Sequence, residues 1–175
     1  MKADRSRLRL RQLEDGDAGF LVGLYNQPDF LQFIGDRGIR TEDDARRWLR
    51  EVTRPLYAVG LGMHGIVVPA LGDPLVGICG LLKRPHLPHP DLGYALRTGH
   101  GGQGYAREAA AAMLAHAFGA LGCARVLAVL DPANRRSVHL LTQLGMRAIG
   151  TTRHAEDGLD LALYAIDASA HDSTH

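Results

Sequence analysis

Residues 100–111 read HGGQGYAREAAA, a cluster of glycines running directly into an alanine-rich stretch. This order of residue types predicts a tight turn that opens a helix. Glycine lets the backbone approach a ligand closely, and the first helical turn offers unpaired amides at the positive end of its dipole. Such a corner is a general cradle for an anion, phosphate above all. A turn that holds nothing has the same glycines, so the surrounding sequence has to decide.

Two phosphate motifs are tested first. Gly99, Gly101 and Gly104 satisfy G-x-G-x-x-G literally, and Asp131 ends the next β-type run, so a nicotinamide-dinucleotide site is one reading. Its context argues against it: nearly a hundred residues precede the turn, and too little chain follows for a doubly wound sheet. The run before it also belongs to a hairpin-rich, antiparallel region. A P-loop is excluded, because no G-K-[ST] occurs and the only lysines are Lys2 and Lys83.

Outward from the turn, Ala106, Ala109, Ala110, Met113, Ala117, Phe118 and Leu121 recur on one face and predict a helix that Gly122 stops. Three β-prone runs come before it: LYAVGLGMHGIVVP (56–69), PLVGICGLLKR (74–84) and DLGYALR (91–97). ALGDP (70–74) makes a hairpin turn between the first two. Nearer the N-terminus, Leu8, Leu10 and Leu13 suggest a short strand, and a helix is expected from about Asp15 to Tyr25. A second early helix opens at Thr41, which forms a capping box with Asp44 and carries Ala45, Trp48, Leu49 and Val52 at helical spacing. After the central helix, ARVLAVL (124–130) reads as a strand. Val138, Leu141, Thr142 and Leu144 then mark a short helix ending at Gly145. MRAIGTT (146–152) and LDLALYAI (159–166) read as two last strands, and DASAHDSTH (167–175) as a frayed, flexible tail. The order is strand, two helices, three strands, helix, strand, helix, two strands: an α/β (α+β) layer of helices on a largely antiparallel sheet.

Composition sets the outer limits. A chain of 175 residues that is 46% hydrophobic and 22% charged suits a single domain with a sizeable core, here residues 1–175 with the core at about 8–166. The formal charge of +1 leaves no whole-molecule field to attract nucleic acid or an anionic membrane, so any anion site must be local. Cys79 and Cys123 lie in apolar surroundings and read as reduced, buried thiols. The charged N-terminus and the lack of a membrane-length apolar run point to a soluble, cytoplasmic protein.

Downstream of the turn, Asn134 and Ser137 stand three apart at the opening of a short helix that leads into Leu144-Gly145-Met146. On their own they are a helix cap and a first-turn serine. Taken with LGYALRTGHGGQGYAREAAAAMLAHAF (92–118), the arrangement resembles the GNAT acyltransferase superfamily. That signature is a glycine loop of the type Q/R-x-x-G-x-G/A opening the central helix, then a strand, then N-x-x-S and L-G-F. The segments LGYAL, GQGYAREA and NRRSVHLLTQLGM, with LRLRQLEDGDAGFLVGLYNQPDF near the start, are most similar to the Rim-type branch of ribosomal-protein N-terminal acetyltransferases. The resemblance spans about residues 8 to 166. Two positions depart from it: Gly99 stands where the pattern prefers Gln or Arg, and Met146 replaces Phe.

The resemblance implies a sheet splayed between its fourth and fifth strands, helices on both faces, and acetyl-CoA in the opening. The pyrophosphate would then rest on the amides of Gly102, Gln103, Gly104, Tyr105 and Ala106. Pantetheine would pair with the strand from Tyr94 through Leu96 to Arg97, and Asn134 would contact the cofactor arm. The reaction implied is direct attack of a neutral amine on the thioester, with a backbone N–H at Leu96 or Arg97 polarising the carbonyl. Ser137 is the candidate acid for the departing thiolate, against an ordinary first-turn serine. Glu156 is the candidate base, against a solvated turn carboxylate, and Asp91 is held in reserve. Glu108 is accounted for by the helix dipole, and Tyr164 by core packing. His86-x-x-His89 has no third ligand, so no metal is expected, and the absence of G-x-S-x-G excludes a serine hydrolase. Arg107, Arg135 and Arg136 flank the motifs within reach of phosphates. The acceptor is expected to be a small amine or a protein N-terminus, neither nucleic acid nor membrane, and a homodimer is compatible with the resemblance. A non-catalytic acyl-CoA-binding module is the other reading of the same motifs.

Overall fold

The computed structural model describes residues 6–154 and 158–173. Its strands are β1 (Arg9–Gln12), β2 (Gly62–Val67), β3 (Leu75–Leu82), β4 (Asp91–Leu96), β5 (Arg125–Leu130), β6 (Arg147–Arg153) and β7 (Asp160–Asp167). They form one seven-stranded sheet in the order β1-β2-β3-β4-β5-β7-β6. All neighbours are antiparallel except β4 and β5, which run parallel. A parallel pair needs a crossover, and α5 (Tyr105–Phe118) provides it.

The β4–β5 pair is where the sheet parts. β4 pairs with β3 along its full length, whereas β4 and β5 share only the register Asp91↔Leu127, with Leu127 N–H donating to Pro90 O at 2.9 Å. Beyond that rung the strands diverge toward their C-terminal ends. The splay expected between the fourth and fifth strands is present, as are helices on both faces. On one face α5 buries Ala109, Ala110, Met113, Leu114 and Ala117 against Val76, Cys79, Leu81 and Val126. α6 (Arg135–Gln143) joins that cluster through Leu141. On the other face α1 (Ala18–Tyr25), α2 (Pro28–Phe33) and α3 (Glu42–Trp48) close over Leu13, Met63 and Ile78.

Four differences from the sequence reading have physical causes. Pro28 ends α1 but also starts α2, because its fixed φ and missing N–H suit the first position of a helix. Beyond α3 the chain does not turn extended at Pro55. A π-helical stretch, Leu49–Thr53, leads into α4 (Arg54–Tyr57), and the buried Thr53 hydroxyl accepts from Met63 N–H at 2.7 Å. α5 ends at Phe118, one turn before Gly122. The frayed tail is corrected as well: α7 (Ala168–Asp172) is a helix whose His171 is buried against Phe118, with ring centroids 5.0 Å apart. Asp167, just before it, is held by Arg125 at 2.6 Å. The capping box at Thr41 and Asp44 forms as expected. No helix among the described residues is long and apolar enough to cross a membrane.

Candidate active site

The glycine turn follows β4 at the wide end of the splay. Gly99, Gly102 and Gly104 have φ of +94°, +77° and +82°, a region that side chains rarely enter. Gly104 is the N-cap of α5 and supplies no side chain to satisfy it. The first amide to bond back is Glu108 N–H, to Gly104 O at 3.0 Å, so the amides of Tyr105, Ala106 and Arg107 have no partner within the helix. A Cβ on Gly102 would meet nothing within 4 Å, and one on Gly101 would come within 3.8 Å of Arg136 Nη1. Unpaired amides, open space and an overlooking guanidinium suit a pyrophosphate.

Behind the turn stands a residue that the sequence reading missed. Arg7 N–H and Nε both donate to the Glu108 carboxylate, at 2.9 and 3.0 Å, and Arg7 Nη2 donates to Gln103 O at 3.0 Å. Its guanidinium also lies over the Tyr105 ring, 5.3 Å from the centroid. Glu108 is therefore more than a dipole partner. A groove of about 320 Å³ lies beside this cluster, between Arg7, Arg107, Leu114, Leu144 and His171. It is lined by α5, the end of α6 and His171, with no residue of β4 or β5.

On β4, register decides which backbone groups face the opening. Gly77 and Leu96 are opposite but not bonded, since Arg97 N–H donates to Val76 O at 2.8 Å. Ala95 and Arg97 thus bond toward β3, while Tyr94 and Leu96 point their N–H and C=O groups to the edge that β5 has left. This corrects one expectation: Arg97 N–H is committed to β3 and cannot polarise a carbonyl, which leaves Leu96 N–H. Gln27 was also missed. From the N-cap of α2 its Nε2 donates to Leu96 O at 3.1 Å and its Oε1 accepts from Thr98 N–H at 2.7 Å. The amide pins the α1–α2 corner to the end of the open strand. The only signal for it was a polar residue before a helix-initiating proline.

Across the opening, Asn134 caps α6 by accepting from Ser137 N–H at 3.3 Å, as the local reading had it. The Ser137 side chain lies near the Tyr94 hydroxyl, across the opening on β4. Burial pushes the Tyr94 hydroxyl up to about 12, with Ser137 acting the other way.

Asp91 stands at the last rung shared by β4 and β5. It is 1% exposed, and its Oδ2 accepts from Arg84 Nε at 2.9 Å while its Oδ1 has no partner among the described residues. Burial raises the pKa of its carboxyl and outweighs Arg84, which pulls the other way. Its register partner Leu82 and the same-face Ala95 pack with the α1–α3 cluster, so Asp91 looks toward that side of the sheet. Glu156, the other candidate base, lies outside the described residues. Cys79 is buried, with its thiol pushed up to about 12, and has no reactive character. No cluster of three or more His, Cys, Asp or Glu side chains that could hold a metal occurs among the described residues.

Comparison with known proteins adds to this geometry. Residues 7–147 match the family model described as an acetyltransferase (GNAT) domain. The Bacillus subtilis (strain 168) protein named uncharacterized protein YkkB is 29% identical over 150 residues, covering 84% of this chain and 86% of its own. Spermidine N-acetyltransferase from Vibrio cholerae, solved with CoA and spermine, superposes with a TM-score of 0.78 at 19% identity, covering 95% of this chain and 99% of that one. The ribosomal-protein-S5-alanine acetyltransferase of Vibrio fischeri gives 0.77 at 18%, covering 94% and 95%. At such identities the likeness to the two structures is one of fold. With a glycine turn opening the crossover helix, a sheet parted at its single parallel pair and a family match over most of its length, the chain belongs to the GNAT family and is an N-acetyltransferase.

Proposed function

We propose that this protein acts as a single acyltransferase domain that moves the acetyl group of acetyl-CoA to a primary amine by direct attack on the thioester. The observation that carries this reading is the unpaired edge of β4. Beyond the Asp91↔Leu127 rung, the Tyr94 N–H and C=O and the Leu96 N–H face an added half-strand, the Leu96 C=O being held by Gln27, and the open amides of the glycine turn lie at the wide end. Acetyl-CoA brings the activated acetyl group, and the chain's own residues do the rest. The amides of Gly102 to Ala106 hold the pyrophosphate, aided by Arg136, and Asn134 meets the pantetheine arm through its amide. Leu96 N–H hydrogen-bonds the reacting carbonyl. Ser137, backed by Tyr94, returns a proton to the leaving thiolate.

Asp91 takes the amine proton through a chain of water in this reading, since it stands at the other end of β4 from Leu96, about 16 Å along the strand. Its raised pKa and free Oδ1 suit a base at neutral pH, and its side of the sheet is the one covered by α1–α3. Glu156 remains the alternative for the same step.

For the acceptor we take a protein N-terminus, as in the Rim-type branch that LGYAL, GQGYAREA and NRRSVHLLTQLGM resemble. A cytoplasmic setting and a homodimer go with that reading. The test is release of CoA thiol from acetyl-CoA with three acceptors: a peptide bearing a free N-terminal alanine or serine, spermidine, and a simple alkylamine. Release with the peptide above the other two is the result expected. Binding of acetyl-CoA without release by any amine would make the protein a non-catalytic acyl-CoA-binding module and overturn the proposal.

A further inference from the structure

We propose that Arg7 is a positioning residue for the anion-binding turn, acting through the peptide between Gln103 and Gly104. The inference rests on the reading of that turn as the pyrophosphate site. In a trans peptide the C=O and the following N–H point in opposite directions. Arg7 Nη2 donates to Gln103 O from behind, at 3.0 Å, so the Gly104 N–H of the same peptide is turned to the front of the turn. A charged donor on the carbonyl polarises the whole unit and makes that N–H a stronger donor to an anion.

Glu108 and Tyr105 hold the guanidinium in place. Glu108 takes both its Nε and its main-chain N–H, and the Tyr105 ring lies beneath it. Leu8, the next residue, is buried in the core against α5, so the strap is anchored where β1 begins. Gly104 completes the fit: a Cβ there would sit 3.2 Å from Arg7 Nη2, tighter than ordinary contact. The pair is partly exposed, with side-chain exposures of 55% for Arg7 and 30% for Glu108. Exposed pairs contribute little to folding, so the effect falls on the geometry of the turn and not on global stability.

The test compares wild type, Arg7→Ala and Arg7→Lys. It uses calorimetric affinity for CoA, and kcat and KM with two donors: acetyl-CoA, and acetyl-pantetheine, which has no pyrophosphate. Arg7→Ala is expected to weaken CoA binding about tenfold, the size of one lost charged hydrogen bond. KM for acetyl-CoA rises in parallel, kcat changes by less than about twofold, and acetyl-pantetheine kinetics stay at wild type. Lysine keeps the charge but lacks the fork, so it restores only part of the affinity. Unchanged CoA affinity in Arg7→Ala would overturn the inference, as would an equal loss with both donors, which would mean a merely structural residue. Wild-type protein that fails to bind CoA at all would instead contradict the reading of the turn itself.

Discussion

At the scale of single residues, Asp91 carries the sharpest expectation. Its folded pKa is raised above the ordinary 3.8, chiefly by burial. A group raised in this way contributes stability that is fully present below its unfolded pKa and is lost as pH climbs through the folded value. Asparagine imitates the protonated form, so the melting temperature of Asp91→Asn relative to wild type should become more favourable from pH 4 to pH 8. If Asp91 is also the base, the same substitution lowers kcat/KM by about 10²- to 10⁴-fold. It also removes an acidic limb of the pH–rate profile that in wild type lies above the usual carboxylate range. A wild-type profile in the variant would shift the role to Glu156. Asp91 was visible in the sequence only as a carboxylate before a strand. Its unpartnered oxygen and its place at the last β4–β5 rung come from the fold. Arg7 was not visible at all, since its partner Glu108 lies 101 positions along the chain and no local pattern links them.

The element that matters most is the first turn of α5. Its glycines could be read because positive φ restricts the residue type, and the helix because its alanines recur at helical spacing. Gly104→Glu would force a side chain into φ +82°, at a cost of about 1–2 kcal/mol, and set a carboxylate where the unpaired amides face an anion. CoA affinity in a calorimetric titration is expected to fall below detection while the circular dichroism spectrum keeps its helical content. Unchanged affinity would place the pyrophosphate elsewhere. Elements defined by tertiary contact were harder to foresee. α2 was hidden because Pro28 reads as a stop when only the preceding helix is considered. α7 was hidden because nothing in DASAHDSTH announces that His171 will meet Phe118. Likewise the choice between Leu96 and Arg97 follows from the β3–β4 register, which fixes the edge each N–H faces and leaves no trace in the composition.

Across the whole molecule, function follows from one interruption in an otherwise continuous sheet. Five of the six neighbouring strand pairs are antiparallel ladders of four or more rungs, yet β4 and β5 meet at a single register position. The run of element types along the chain foretold a mixed layer, whereas the splay itself entered only through the resemblance carried by GQGYAREA and NRRSVHLLTQLGM. The core on the α5 side holds the glycine turn, and the core on the α1–α3 side shares a face with Asp91, so donor and acceptor would approach from opposite faces. A crystal structure of the protein with CoA tests this arrangement most directly. The pyrophosphate should lie within hydrogen-bond distance of the amides of Gly102 to Ala106, with pantetheine paired to Tyr94 and Leu96 and the thiol near Ser137. CoA bound instead in the groove between Arg7, Leu144 and His171, with the β4 edge left bare, would contradict it.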